Sequence, residues 1–231
     1  MLNFKKFLDP KIFGLDLTGN IIRVAQMPDK FAFGATIQEA IKKAKIQTKY
    51  VNIAMPEAEC FVKLVPKDGD IKKEIESNVP LALSEIYYDF KEIGQGLLIV
   101  AAKRKIIDKY ITELKQAGLI AKAIEPESIA IARALVQDDN NYLIIKVSSQ
   151  NTLFMIVSSQ IIKFTVAGAL EQTADYLDFY QTRNGNIAEI LLCGDSDLQK
   201  ASAILKQLNL PIKIVKDPSY TAAIGLALKN D

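Results

Sequence analysis

Histidine is absent from the 231 residues, and with it goes the side chain that most often serves as general base or metal ligand near neutral pH. Serine–histidine and cysteine–histidine nucleophiles are therefore excluded. The two cysteines, Cys60 and Cys193, form no Cys-x-x-Cys pair, so thioredoxin-type redox chemistry and cysteine-rich zinc sites fall away. Both sit among apolar neighbours, as buried free thiols do, which favours a reducing cytoplasm. Carboxylate and ammonium chemistry remains. Glu125 and Glu127 are close in sequence and Asp138 adjoins Asp139, spacings at which paired carboxylates can divide acid and base roles. The simpler reading puts Asp138 and Asp139 in a polar loop and Glu127 at a helix start, where negative charge meets the helix dipole. Lys103-Arg104-Lys105 could meet a phosphate, but it stands where an amphipathic helix begins and reads as a solvated face. Neither a Walker Gly-Lys-Ser/Thr loop nor a Gly-x-Gly-x-x-Gly dinucleotide motif occurs. No catalytic residue and no metal ligand is assigned.

The chain that must position these groups has 49% hydrophobic and 24% charged residues, the composition of an ordinary folded protein. Its length suits one large domain or two small ones. Twenty-nine basic against 27 acidic residues leave a net charge of +2, too little for a nucleic-acid surface. No run of about 20 apolar residues suggests a spanning helix. Residues 1–8 mix two lysines with large apolar side chains but lack the apolar core and cleavage site of a signal peptide. They read as a lead-in packed on the body, with a weak membrane-surface anchor as the alternative.

Residues 12–17 and 21–27 read as a hairpin around Thr18-Gly19-Asn20. Thr36 and Glu39 form a capping box ahead of a helix ending near 46, with Ile37, Ala40, Ile41 and Ala44 on one face. Strands are expected at 50–55, 61–65, 86–93, 97–102 and 120–124, and helices at 71–79, 106–117 and 128–136. Asp138-Asp139-Asn140-Asn141 is a polar seam, after which the order restarts. A meander at 142–147, 153–157 and 161–166 precedes a helix at 170–182, a strand at 189–193, a helix at 198–208, a strand at 212–215 and a helix at 220–228. The two halves suggest a duplication, with two sheets facing across a cleft. Tyr87, Tyr88 and Phe90 alternate along one strand, Tyr88 and Phe90 on one side. Two-sided burial is the ordinary reading, and an aromatic anchor for a partner is the alternative.

Phe13-Gly14-Leu15-Asp16-Leu17 resembles the opening of actin-like ATPase domains, in which Gly-Leu-Asp-Ile-Gly starts the first phosphate loop. Asn78-Val79-Pro80-Leu81, Ile86-Tyr87-Tyr88-Asp89-Phe90, Leu97 to Arg104, Leu114 to Leu119, Glu125 to Ala130, Tyr180-Gln181-Thr182-Arg183 and Ala223 to Leu228 follow in order. This succession resembles the PilM family of type IV pilus assembly proteins over nearly the whole chain. The resemblance implies an α/β, actin-like (ribonuclease H-like) two-lobed fold. Lobe 1 would be 1–57 and 125–139, lobe 2 would be 140–231, and an FtsA-type extra subdomain would occupy 58–124. It also implies a cytoplasmic scaffold, peripheral at the inner membrane, that captures the tail of a PilN-like bitopic protein and works with a pilus assembly ATPase. Tyr88 and Phe90 fall in the region that the family uses for its partner.

Actin-like nucleotide sites need glycine-bearing hairpins, carboxylates around Mg²⁺ and a glycine-rich adenosine turn. The resemblance places the remnants of such a site at Asp16, Thr18, Gly19, Asn20, Lys146, Ser148, Ser149 and Gly194. Thr18 stands for the family's glycine, Arg23 for its lysine, and Lys146 for the second carboxylate, where a cation repels Mg²⁺. Asp195 and Asp197 bring negative charge beside Gly194, with Ser196 or Asp195 read as a helix cap. Gly168 leads almost directly into the helix after it, so the 2B-like subdomain that walls the adenosine pocket is missing. The expectation is a nucleotide-independent scaffold, with no cofactor, of a pilus or competence machine. The alternatives are an ATPase whose pocket is rebuilt around Lys146 and Ser148, and a GspL-like secretion-platform component.

Overall fold

A computed structural model describes residues 11–66, 70–93, 96–149 and 151–229. The lead-in at 1–8 and the Gly94-Gln95 turn lie outside them. Strand β1 (Phe13–Asp16) pairs antiparallel with β2 (Ile22–Gln26), and β2 with β3 (Lys30–Gly34). Strand β3 was not expected from the sequence: it is short, and its Phe33 faces solvent, so it lacks a full apolar run. Helix α1 (Ile37–Ala44) starts at Thr36, whose hydroxyl accepts from the Glu39 N–H, and ends at Lys45 in the left-handed region (φ 54°). Strand β4 (Tyr50–Met55) then runs parallel beside β1.

Next comes a separate small layer: β5 (Cys60–Pro66), helix α2 (Ile71–Asn78), β6 (Ile86–Ile93) and β7 (Gly96–Lys103), with strand order β5-β7-β6. Val65, Ile75, Val79, Ile86, Leu97, Ile99 and Ala101 form its own core. Helix α3 (Arg104–Gln116) and β8 (Ile120–Pro126) do not belong to this layer. Tyr110, Leu114 and Leu119 pack into the core of the first lobe, and β8 pairs parallel with β4. The insertion expected at 58–124 thus ends near Lys103. The apolar stripe of α3 was legible, but not the sheet it would cover.

Helix α4 (Glu127–Leu135) leads to the second lobe: β9 (Asn141–Val147), β10 (Thr152–Ser158), β11 (Ile161–Gly168), helix α5 (Thr173–Asn184), β12 (Glu189–Gly194), helix α6 (Leu198–Leu205), β13 (Ile212–Ile214) and helix α7 (Thr221–Ala227). The five-stranded sheets have orders β3-β2-β1-β4-β8 and β11-β10-β9-β12-β13, each a meander continued by two parallel strands. This is the duplication read from the sequence. Only the 3₁₀ turn Leu170–Gln172 separates β11 from α5.

Helices α4 and α7 join the lobes. They approach closely at Gly225, where an added Cβ would lie 1.8 Å from the Ala130 carbonyl oxygen, and α7 meets β1 at Gly14, where it would lie 2.0 Å from the Ala223 oxygen. Both obstacles are backbone, which cannot rotate away. Gly225→Ala is expected to destabilise the chain by about 3 kcal/mol or more, measured as a lower urea midpoint; an unchanged midpoint would show that this helix crossing is looser than described.

Candidate functional site

The carboxyl ends of the central strands of both sheets meet at one place. Asp16 ends β1, and the register sets it opposite Arg23 on β2. In the second lobe Lys146 lies beside Cys193 across β9 and β12. Glu127 opens α4 between them. Asp16 is buried, and its Oδ1 accepts from the Thr18 N–H (2.9 Å) and hydroxyl (2.6 Å). That local turn fixes the Thr18 hydroxyl, whose oxygen accepts from Lys146 Nζ at 2.7 Å. Lys146 also donates to Glu127 Oε2 in an ion pair whose side chains are 15% and 7% exposed. Burial alone would lower the lysine pKa, but the negative charges of Asp16 and Glu127 outweigh it and raise the value. Lys146 is therefore a fixed cation.

A second ion pair closes the rim. Arg23 Nη2 donates to Asp195 Oδ2 at 2.6 Å, and its Nη1 donates to the Ile21 carbonyl at 3.1 Å. Asp195 does not cap the next helix, and neither does Ser196: the N-cap of α6 is Asp197, which accepts from the Lys200 N–H at 2.9 Å. Gly194 has φ +114°, and a Cβ there would lie 2.0 Å from the Val147 carbonyl oxygen. Glycine is thus required by packing of β12 on β9. That same oxygen accepts from the Asp195 N–H at 3.1 Å. The Cys193 thiol is buried and pushed up to about 12 by burial, opposed by Lys146 and reinforced by Glu127, which makes it a poor nucleophile.

Of the residues assigned from the sequence, Asp16, Thr18, Gly19, Lys146, Ser148 and Gly194 line one cavity of ≈ 20 Å³, room for about one water. Asn20 and Ser149 are exposed and outside its lining. Ser148 closes its own hairpin, its Oγ donating to the Asn151 carbonyl at 2.8 Å. The sequence reading missed Glu127 as a partner of Lys146 and Asp195 as a partner of Arg23. Neither contact is local, since Glu127 lies 19 residues from Lys146 and Asp195 172 residues from Arg23, so no short spacing reveals them.

Tyr88 and Phe90 lie elsewhere. From Tyr87 to Glu92 the edge strand β6 is exposed on both sides, so two-sided burial is incorrect. Tyr87 is engaged by the Arg104 guanidinium, 4.2 Å from its ring centroid, and its hydroxyl donates to Asp108 Oδ1 at 3.3 Å. Phe90 faces a groove of ≈ 410 Å³ between the small layer and β8, whose walls include Leu98, Val100, Ile124 and Ile129. Tyr88 is exposed outside that groove. At its far side Arg133 donates to both oxygens of Glu125 (2.5 and 2.9 Å) and to the Gly225 carbonyl (2.9 Å), with Lys229 3.5 Å from Glu125.

Duplicated sheets facing across such a cleft define an actin-like two-lobed fold, and solved structures bear this out. No protein-family model and no curated sequence matches the chain. Similar solved structures include the PilM–PilN type IV pilus biogenesis complex, with TM-score 0.77 and 15% identity over 94% of this chain and 98% of that one. The cytoplasmic domain of EpsL, an inner-membrane component of the type II secretion system of Vibrio cholerae, aligns with TM-score 0.57 and 12% identity over 90% and 87%. A Bacteroides thetaiotaomicron protein with an actin-like ATPase fold aligns with TM-score 0.59 and 12% identity over the full length of both chains.

Removing one member of a buried pair leaves the other charge unpaired. Lys146→Met is expected to cost about 3–5 kcal/mol, and adding Glu127→Gln to recover part of it, both read from urea denaturation. If Lys146→Met is as stable as the parent chain, the ion pair has no structural role.

Proposed function

We propose that the chain is a nucleotide-independent scaffold akin to the PilM proteins, not an enzyme. In this reading it sits at the cytoplasmic face of the inner membrane in a pilus or competence assembly platform. There it holds the tail of a PilN-like bitopic membrane protein and stands next to the assembly ATPase. The observation that carries this reading is the state of the cleft. Lys146, Glu127, Asp16 and Thr18 satisfy one another, and Arg23 with Asp195 spans the rim. The remaining ≈ 20 Å³ is far below the roughly 300–1,000 Å³ of a small-molecule pocket. A phosphate entering here would have to detach Lys146 from two partners and break the Arg23 pair before gaining a contact.

The groove beside Phe90 supports the partner half of the reading. It has an apolar floor, and Lys91, Lys122, Arg133 and Lys229 outnumber Asp89 and Glu125 around it. Such a surface suits an extended apolar segment carrying an acidic or carbonyl-rich end. Among the described residues no helix is long and apolar enough to cross a membrane; in this reading the membrane position comes through the partner. The likeness to the EpsL domain keeps a secretion platform as the alternative setting for the same kind of grip.

Isothermal titration with MgATP is expected to give no binding heat at millimolar nucleotide, and a micromolar site would end the nucleotide-independent reading. The chain is expected to retain the N-terminal cytoplasmic peptide of its neighbouring membrane protein in a pull-down. Phe90→Ala, at an exposed position, is expected to weaken that binding about tenfold or more with no change in Tm. Unaltered retention by the variant would remove the groove from the interface.

A further inference from the structure

Strand β6 is the outer strand of the small sheet, so along one side no described strand meets its backbone. Natural sheet edges are commonly blunted by proline, a bulge or a covering element. Ile86–Ile93 contains no proline, its register on β7 runs without a shift from Ile86↔Lys103 to Ile93↔Gly96, and Tyr87 to Glu92 are exposed. The Phe90 N–H shows how this edge is turned. It donates to the carboxylate of its own neighbour, Asp89 Oδ1, at 2.8 Å, and antiparallel alternation then turns the backbone groups of Tyr88 to the same outer side. The remaining common defence of an edge is charge, and here the charges alternate in sign: Asp89 and Lys91 flank Phe90. Among the described residues neither of the two has an ion-pair partner.

We propose that β6 pairs antiparallel with β6 of a second copy of this chain, about a two-fold axis at Phe90, and so joins two three-stranded sheets into one. The charges select that axis. Like charges directly opposite one another destabilise a strand pair, and an axis at Asp89, Lys91 or Glu92 would set each of these against itself. An axis at Tyr88 would set Asp89 against Tyr87 and leave Lys91 facing Glu85, outside the strand. An axis at Phe90 sets Asp89 of each copy against Lys91 of the other, two opposite-charge pairs, with Phe90 against Phe90 between them. The Asp89 carboxylate then leaves the Phe90 N–H for the lysine, and that N–H donates to the Phe90 carbonyl of the second copy, so neither group loses a partner. Such self-matching is what a two-fold interface requires. It also brings together the exposed side chains of Tyr88 and Phe90, whose aromatic area adds to the backbone bonds. A single strand pair is a small seam beside the interfaces of permanent dimers, so the dimer forms with rising concentration.

The pairing needs neither nucleotide nor membrane partner, so sedimentation equilibrium of the full chain alone tests it, apart from the partner reading above. Between roughly 10 μM and 1 mM the average mass is expected to rise from one chain toward two; a single-chain mass throughout would overturn the proposal. Asp89→Lys and Lys91→Glu, at exposed positions, are each expected to keep the Tm and to weaken the dimer about tenfold or more, because two cross-strand pairs turn from attraction to repulsion. An equimolar mixture of the two variants is expected to dimerise again: the new cation at position 89 then faces the new anion at position 91, while Lys91 of one chain still faces Asp89 of the other. Undiminished dimers of both single variants, or a mixture that stays monomeric, would overturn this register and the proposal with it.

Discussion

The Lys146 ammonium is the point on which the closed cleft depends. It belongs to the second lobe, yet its partners Thr18 and Glu127 come from the first lobe and from the helix that joins the two. A buried ion pair seldom adds net stability over apolar packing, because desolvation costs about as much as the pair returns. Its value lies in specifying geometry: with Glu127 and Asp16 both buried, a lobe arrangement that withdrew the ammonium would leave two carboxylates without a counter-charge. The arrangement seen here is the one that avoids this. Pairing of charge at the junction of the strands thus acts as a constraint on the whole molecule, and the Arg23–Asp195 pair repeats it at the rim.

That constraint can operate only because the elements beneath it are held at fixed separations. Glycine at positions 14 and 225 lets α7 lie on β1 and on α4 at backbone contact, and the Asn52 side-chain amide donates to the Leu226 carbonyl at 3.0 Å. Helix α4 in turn carries Glu127 and Ser128 at its start and Arg133 near its end. One short helix therefore presents the cleft partner of Lys146 at one end and the Glu125 network beside the Phe90 groove at the other. A shift of α4 along its axis would be felt at both places, which gives a physical route by which the state of the cleft and the shape of the groove are linked.

Much of this architecture is legible in the residues. Periodicity marks α1 and α3, turn residues mark the hairpins, and the polar seam at 138–141 marks the restart. Strand β3 was hidden because a five-residue edge strand with one aromatic in solvent has no pattern to set it apart from a loop, although the three-stranded meander of the second half called for a counterpart. The end of the insertion was misplaced because the stripe on α3 shows that a face is buried without showing against what. The cleft was read from substitutions taken one at a time. Its ion pairs were invisible, because Lys146 finds Glu127 19 residues away and Arg23 finds Asp195 172 residues away. Single positions reveal what has been lost from a pattern, while compensation appears only when distant positions share a place.

In the proposed nucleotide-independent reading, compensation also bears on why such a fold would persist without a ligand. An actin-like cleft lined by carboxylates is unstable when empty, since like charges at close range repel in a medium less polarisable than water. A nucleotide with its metal ion relieves that repulsion, and so does a lysine. The lysine does it permanently, without diffusing away, and at the loss of any cycle of opening and closing tied to a ligand. A scaffold of the proposed kind would benefit from this exchange, because a groove between the small layer and β8 that holds a partner is best kept in one shape, so that binding does not have to order the groove first. The exposed strand β6 fits the same logic. Its aromatic side chains remain in solvent in the isolated chain, where burying them would have favoured stability, and an edge strand left in that condition is costly unless another surface covers it.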